Sequence, residues 1–230
     1  MKSVLSLTLV ILASGATCGQ HSVSAKVLFS NGNSTELPFR LVNNLVIVQA
    51  SVNGRSGNFI FDTGAESTVV DIGFAAKTGL KQSGKTTGNG ASCTATAGVF
   101  KGARVELGGL RTGGLTVYSL PLDSFAPSFG FPIDGIIGND IIGSVVAEIE
   151  YLKNKLCLMH PAAFKPPIAD TIPLTMAGHL PFVKARVTPV GHEPLSVLME
   201  IDTGSTGVIL LNAPFVKRRG LVATLSASQE

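Results

Sequence analysis

Two stretches of the sequence share one pattern: Asn58 to Val70 reads NFIFDTGAESTVV, and Glu200 to Leu211 reads EIDTGSTGVILL. Each places Asp-Thr-Gly between apolar, strand-forming residues, so Asp62 and Asp202 stand in surroundings that disfavour an ionised carboxylate. A desolvated charge of this kind usually has hydrogen bonds, a partner or a chemical use. The repeat therefore predicts that these two aspartates are partners.

The similarity between the two copies extends upstream. The run Leu45 to Val52 matches Leu180 to Val187, and both have the alternating character of half-buried strands. Asn53-Gly54 predicts a tight hairpin turn, whereas the second copy turns through the longer segment Thr188 to Pro194. Each copy is thus predicted to be a hairpin whose second strand ends at the aspartate.

Downstream, each copy predicts a strand followed by a short helix. Asp71 and Asn212 are predicted N-caps, and Gly79 and Gly220 fit the position just after a helix end. The basic run Lys217 to Arg219 then lies in a last helical turn, where it complements the helix dipole. Two such copies predict a duplicated fold with pseudo-twofold packing, which would bring the two aspartates together.

The paired aspartates suggest a specific chemistry. Two carboxylates about 3 Å apart cannot both ionise, so they share one proton and can deprotonate a water while protonating a substrate carbonyl. This chemistry needs no metal, cofactor or covalent intermediate. The glycine of each triplet lets backbone N–H groups approach the carboxylates, and the threonines can bond across the twofold axis.

These motifs resemble those of the aspartic peptidases, the pepsin-like and retropepsin-like superfamily, and in particular exported bacterial aspartyl-protease-family proteins. The resemblance implies that Asp62 and Asp202 are catalytic and that the loops around them are shaped by Thr63, Gly64, Ala65, Thr203, Gly204 and Ser205. It also implies an apolar-apolar-Gly element packed beneath the catalytic loop, which Ile136, Ile137 and Gly138 fit. Asp134 and Asp140, which flank that element, are better explained as turn and cap residues than as catalytic ones.

The resemblance further implies a flap hairpin that closes over a peptide or protein substrate, around Thr86 to Thr96. The tyrosine familiar from pepsin-like flaps has no counterpart there, because the only tyrosines are Tyr118 and Tyr151. The second copy shows neither a flap nor an apolar-apolar-Gly element. We therefore expect a truncated second lobe that leaves a sheet edge unpaired and the apolar run Val208 to Leu211 uncovered.

Composition favours an all-β fold with short helices, an acid-protease β-barrel lobe that is duplicated and incomplete in its second copy. The chain has 45% apolar residues, 26 glycines, 12 prolines and 14% charged residues, which describes a turn-rich globular protein. The expected organisation is a signal peptide at 1–20, a lead-in at 21–44, a first lobe at 45–160, a linker at 161–179 and the start of a second lobe at 180–230.

The first twenty residues have the layout of a secretory leader: Lys2, an apolar stretch from Val4 to Ala13, and then small residues. The stretch is too short for a stable membrane span, so export to the periplasm or the medium is expected. Cys18 could instead carry a lipid, although the residues before it make a poor lipobox. Without the leader, Cys93 and Cys157 remain, either as a disulfide or as two separate thiols.

Other classes of function find little support. The formal net charge of +3 gives no reason to expect a nucleic-acid partner, and the four histidines show no metal-ligand spacing. The leading hypothesis is an aspartic endopeptidase that uses Asp62 and Asp202. The alternatives are a catalytically incompetent peptide-binding β protein, a purely structural β protein, and a homodimer that pairs Asp62 with Asp62 of a second chain.

Overall fold

The computed structural model describes residues 8–12, 25–89, 94–166, 171–189 and 192–221, and it confirms a mostly β fold. The strands, β1 to β17 in chain order, are Thr8–Leu12, Val27–Phe29, Ser34–Val42, Leu45–Val52, Arg55–Phe61, Val69–Asp71, Gln82–Asn89, Thr94–Ala103, Val105–Leu107, Leu110–Thr112, Leu115–Leu120, Gly135–Ile137, Val146–Glu150, Lys155–Met159, Thr175–Ala177, Leu180–Val187 and Leu195–Glu200. The helices, α1 to α4, are Ile72–Ala75, Ala126–Phe129, Asn139–Ile142 and Ala213–Arg219. Short 3-10 turns lie at Asp123–Phe125, Tyr151–Lys153 and Pro161–Ala163.

Most of the described strands form one curled sheet in the order β1-β13-β14-β3-β4-β5-β12-β6-β11-β8-β7, while β9, β10 and β2 pair at its side. The β4–β5 hairpin turns at Asn53-Gly54, where both residues have positive φ (51° and 81°). Two consecutive positive φ values define the tight turn that matches the twist of the paired strands. The hairpin predicted at this position is therefore confirmed, with Val52 opposite Arg55.

The central strands β4 and β5 are apolar on both faces because both faces are covered. Side chains alternate between the two sides of a strand, so neighbouring residues enter different cores. The main core takes Val46, Val48, Phe59 and Phe61, and a smaller cluster on the other face takes Leu45, Ile47, Ile60, Leu122, Phe129 and Ile133. Phe59 and Phe61 are fully buried, and burial of each stabilises the strand by about 1.5–3 kcal/mol. This packing anchors the strand that ends at Asp62.

Strand β12 lies between β5 and β6 and sets the geometry of the intervening loop. It runs parallel to β5, with Ile137 opposite Phe61, and antiparallel to β6, with Ile136 opposite Val69. The chain therefore leaves β5 on one side of β12 and returns as β6 on the other. Residues 62–68 form a loop across the carboxyl end of β12.

The second copy forms a separate three-stranded sheet, β15-β16-β17, followed by α4. The β16–β17 hairpin pairs Phe182 with Glu200 and Val187 with Leu195, as predicted from the sequence. The caps of α4 are also confirmed, because the Asn212 side chain accepts a hydrogen bond from the Phe215 N–H and Gly220 has a φ of 62°. In the first copy, the Asp71 side chain caps the shorter helix α1.

The prediction of a strand after Asp202 is wrong, because residues 206–211 have no strand structure. The equivalent strand of the first copy, β6, is held by pairing with both β11 and β12, and the described part of the second copy contains no such partners. Val208, Ile209 and Leu210 are consequently 95%, 56% and 79% exposed. An apolar sequence alone does not make a strand when nothing pairs with it.

Three other predicted segments have a described structure. The β7–β8 hairpin, Gln82–Asn89 with Thr94–Ala103, lies where the flap was expected, and its tip at 90–93 is outside the described residues. The expected lead-in contributes β2 and β3, and β3 pairs with both β4 and β14 of the first lobe. The expected linker contains β15.

The expected leader falls mainly outside the described residues, as does Cys18. Its segment Thr8–Leu12 forms β1, antiparallel to β13. Cys157 is buried in β14, while Cys93 lies outside the described residues. In the part of the chain that is described, no helix is both long and apolar enough to cross a membrane.

Candidate active site

The structure brings the two predicted aspartates together. Asp62 follows β5, and its N–H donates to the carbonyl of Ile137 at 3.0 Å. Asp202 follows β17 by one residue, where the N–H of Ile201 donates to the carbonyl of Pro181 at 2.9 Å. The Asp62 and Asp202 carboxyl groups lie within hydrogen-bonding reach of each other. Asp62 is half-buried and Asp202 is exposed, so the two members of the pair differ in their surroundings.

Each glycine contacts both carboxylates, its own by a hydrogen bond and the opposite one by close packing. The Gly64 N–H donates to Asp62 Oδ1 at 2.7 Å, and the Gly204 N–H donates to Asp202 Oδ1 at 2.8 Å. Each glycine also packs on the opposite acid: a Cβ on Gly64 would lie 2.6 Å from Asp202 Cγ, and one on Gly204 would overlap the Asp62 carboxylate. A side chain at either position would separate the acids, which explains why the pattern requires glycine.

The threonines lock the two loops to each other. The Thr63 N–H donates to Thr203 Oγ1 at 3.0 Å, and the Thr203 N–H donates to Thr63 Oγ1, also at 3.0 Å. Each hydroxyl then donates to the carbonyl of the residue just before the opposite aspartate, Thr63 to Ile201 at 2.5 Å and Thr203 to Phe61 at 2.7 Å. Both threonines are buried, at 0% and 9% exposure, so water does not compete with these bonds.

The surroundings of Asp62 favour its protonated form. Burial, the Asp202 charge, the hydrogen bond with Asp202 and the Glu200 charge together raise the pKa of Asp62 from 3.8 to about 7, against the lowering effect of the Gly64 N–H. Burial also raises the pKa of Glu200, and the charges of Asp202 and Glu66 add to this effect. A carboxyl whose pKa lies near neutrality is a candidate general acid.

The apolar-apolar-Gly element lies beneath the first loop. Ile137 is fully buried, and Ile136 is half-buried against the smaller apolar cluster. A Cβ on Gly138 would lie 2.5 Å from the backbone carbon of Ser67 and 3.0 Å from the Ala65 carbonyl oxygen. Only glycine allows the loop to rest this closely on β12.

Two further residues support the loop: Asn139, which was not found from the sequence, and Asp140, which was predicted to be a turn or cap residue. The buried Asn139 side chain donates to the carbonyls of Thr63 at 2.6 Å and Ala65 at 3.2 Å. The Asp140 carboxylate accepts from the Thr68 N–H at 3.0 Å and from the Thr68 hydroxyl at 2.7 Å. Burial raises the pKa of Asp140, and the Thr68 hydrogen bonds oppose this effect. The signal that could have found Asn139 is its position, directly after the apolar-apolar-Gly element.

The second loop has less support. Ser205 Oγ accepts from the Gly207 N–H at 3.3 Å, and the Asn44 side chain donates to the Thr206 carbonyl at 3.3 Å. Among the described residues, the second copy has no counterpart of β12 and Asn139, which support the loop that carries Asp62. Within that same part of the chain, no group of three His, Cys, Asp or Glu side chains is placed to hold a metal ion.

Part of the sequence matches a known protein family. Residues 48–141 match the aspartyl protease family. No curated protein matches the sequence. Among solved structures, the chain is similar to a retropepsin-like aspartic protease from Rickettsia conorii, with 18% identity and a TM-score of 0.40 over 55% of this chain and 91% of that one. Residues 48–141, which contain the first Asp-Thr-Gly loop and the apolar-apolar-Gly element beneath it, are thus similar to the aspartyl protease family.

Proposed function

We propose that the protein is an aspartic endopeptidase in which Asp62 and Asp202 together activate a water molecule. The observation that carries this proposal is the reciprocal set of hydrogen bonds that holds the two Asp-Thr-Gly loops face to face. The match of residues 48–141 to the aspartyl protease family supports the same class of reaction, peptide-bond hydrolysis.

The difference between the two acids suggests their roles. Asp202, the exposed member, is the carboxylate that takes a proton from the water, and Asp62, whose pKa is raised to about 7, is the acid that protonates the scissile carbonyl oxygen. Attack of the water oxygen on the carbonyl carbon then forms a neutral tetrahedral diol. The acid that received the water proton passes it to the amide nitrogen, the C–N bond breaks, and the second diol proton returns to the pair.

The surroundings of the pair supply orientation. The N–H groups of Gly64 and Gly204 fix one oxygen of each carboxylate, which leaves the other oxygens for the water and the substrate. The β7–β8 hairpin is the segment that we assign to the flap over a bound peptide. We further propose that the protein is exported, a proposal supported by the leader pattern at residues 1–20.

Two substitutions test the proposal. Asp62→Asn and Asp202→Asn are each expected to abolish cleavage of a mixed library of fluorogenic peptides between about pH 3 and pH 8, because each removes one half of the proton transfer. Asp123→Asn changes an exposed aspartate in a 3-10 turn and is the matched control. A statine-type mimic of the tetrahedral diol should inhibit the wild-type chain. Full activity in either dyad variant would refute the assignment.

A binding function without catalysis is the second candidate, and the exposure of Asp202 favours it. Water around an exposed carboxylate competes with the substrate and weakens the electrostatic coupling that the reaction needs. This candidate predicts measurable peptide binding with the peptide recovered intact after long incubation. The homodimer alternative requires a second Asp62 opposite the first, a position that Asp202 occupies in this structure. A mass in solution equal to twice the chain mass, with activity retained in Asp202→Asn, would favour it.

A further inference from the structure

We propose that Asn139 is a positioning residue for the proposed peptidase reaction, acting on Asp62 through the peptide unit that joins Thr63 to Gly64. The kinetic test of this inference, peptide turnover, rests on the proposed function. The second test, the NMR titration of Asp62, rests on geometry alone. Asn139 touches neither aspartate in the bonds that the structure shows, so its effect is indirect.

A continuous chain of hydrogen bonds links Asn139 to the catalytic carboxylate. The Asn139 amide donates to the Thr63 carbonyl at 2.6 Å, and the N–H on the other side of that same peptide unit, that of Gly64, donates to Asp62 Oδ1 at 2.7 Å. Because the peptide unit is planar, the direction of its carbonyl fixes the direction of its N–H. A donor on the carbonyl also polarises the unit, which strengthens the bond that its N–H makes.

Asn139 holds the loop at a second point as well. Its side chain donates to the Ala65 carbonyl at 3.2 Å, and its own N–H donates to the same oxygen at 2.8 Å. The side chain is 4% exposed and makes both bonds away from water. Thr63 and Ala65 flank Gly64, so one amide holds the Thr63–Gly64 peptide unit, whose N–H binds the carboxylate, and also the Ala65–Glu66 peptide unit just beyond it.

The second loop provides an internal comparison. The Gly204 N–H donates to Asp202 Oδ1 at 2.8 Å, as in the first loop, but no described side chain donates to the Thr203 carbonyl. The two Asn139 side-chain hydrogen bonds, called the clamp below, therefore hold only the loop of Asp62, the acid that carries the proton in the proposed reaction. The charged groups that face Asp62 are Asp202 and Glu200, and Glu66 lies within reach of Glu200. All are carboxylates, so the Gly64 N–H is the group that favours ionisation of Asp62 against them.

The test compares Asn139→Leu, which removes the donor at similar volume, with Asn139→Asp, which can donate one hydrogen bond only while its carboxyl is protonated. Val105→Ala is the control for lost stability, because Val105 is fully buried in β9 beside Val52, apart from both loops. Turnover of a fluorogenic peptide is measured as kcat and KM against pH. The ionisation of Asp62 is followed by carbon NMR of aspartate-labelled protein, with Asp62→Asn used for assignment.

For Asn139→Leu we expect kcat to fall on the order of ten- to a hundredfold while KM stays within about threefold, since small misplacements of catalytic groups have effects of this size. The Asp62 titration should move to higher pH because its Gly64 hydrogen bond weakens. Asn139→Asp should recover turnover at acidic pH and lose it as the new carboxyl ionises. Val105→Ala should change neither kcat nor the titration.

An unchanged Asp62 titration in Asn139→Leu, or the same shift in Val105→Ala, would overturn the proposal. If Asn139→Leu does not fold, the pH-dependent recovery in Asn139→Asp decides the question, and its absence overturns the proposal. A wild-type chain that cleaves no peptide would refute the proposed function alone. In that case the NMR titration still tests the clamp.

Discussion

Replacing Asp62 with asparagine should abolish catalysis and, at the same time, stabilise the fold above neutral pH. The pKa of Asp62 is raised from 3.8 to about 7, so the folded protein binds a proton that the unfolded chain releases. Stability from this group is fully present below about pH 4, decreases as the pH rises and is lost above about pH 7. A shift of about 3 units at about 1.4 kcal/mol per unit sets an upper limit of about 4 kcal/mol.

Asparagine removes this pH dependence and keeps the local hydrogen bonds. Its side-chain oxygen can still accept from the Gly64 N–H, and its amide can donate to Asp202. At pH 8 we expect Asp62→Asn to be about 2–4 kcal/mol more stable than the wild type. This corresponds to a melting temperature higher by about 5–15 °C for a chain of this length. At pH 4 the two proteins should melt within about 2 °C of each other.

The assay is thermal unfolding followed by circular dichroism at pH 4, 6 and 8, with Asp123→Asn as the matched control for removing one exposed carboxylate. The control should follow the wild type at every pH. If the difference between Asp62→Asn and the wild type does not grow with pH, Asp62 is not desolvated as described. In that case the proton would not reside on this acid.

Further predictions follow from the same loops. Cleavage should fall as the pH rises through about 7, because Asp62 then loses the proton that it must donate, and a pH profile of kcat measures this; constant activity up to pH 9 would contradict it. Gly204→Ala should reduce kcat by at least about tenfold, since its Cβ would overlap the Asp62 carboxylate, whereas Gly113→Ala, which meets open space, should be tolerated. Thr203→Val should destabilise the fold by about 1–3 kcal/mol in urea unfolding, because it leaves the buried Thr63 N–H without its acceptor. Thr206→Val, at an exposed position, is its control, and equal stability of the two variants would show that the reciprocal bonds matter little.

Local chemistry explains which parts of the fold could be predicted. The turn at Asn53-Gly54 needs two residues that accept positive φ, and the caps at Asp71 and Asn212 need a side-chain acceptor three residues before an N–H. Each of these requirements is met within a few residues, so it leaves a pattern in the sequence. The pairing of the two Asp-Thr-Gly loops is not local, but the repeat made it visible.

The failed and missed predictions depend on partners that are distant along the chain. The run before Leu211 has the composition of a strand, and it stays unpaired because nothing in the described second copy provides the edges that β11 and β12 provide for β6. Asn139 was missed for the related reason that its acceptors, the carbonyls of Thr63 and Ala65, precede it by more than seventy residues. A backbone carbonyl leaves no mark in the sequence that identifies its donor.

The position of Asp202 is set mainly by the first lobe. The loop that carries it is held by hydrogen bonds to Thr63 and to the Phe61 carbonyl, both in the first lobe, and by the side chain of Asn44, the residue just before that lobe. The glycine that backs the Asp202 carboxylate, Gly64, also belongs to that lobe. Its own sheet supplies the β17 strand and the Pro181 carbonyl. The three-stranded sheet can therefore position Asp202 without the strand and helix that support the Asp62 loop. The reciprocal hydrogen bonds of Thr63 and Thr203 fix the Asp202 loop against the better supported Asp62 loop. Asp202 remains exposed in this arrangement, because the hydrogen bonds of its loop orient the carboxylate but do not shield it from water.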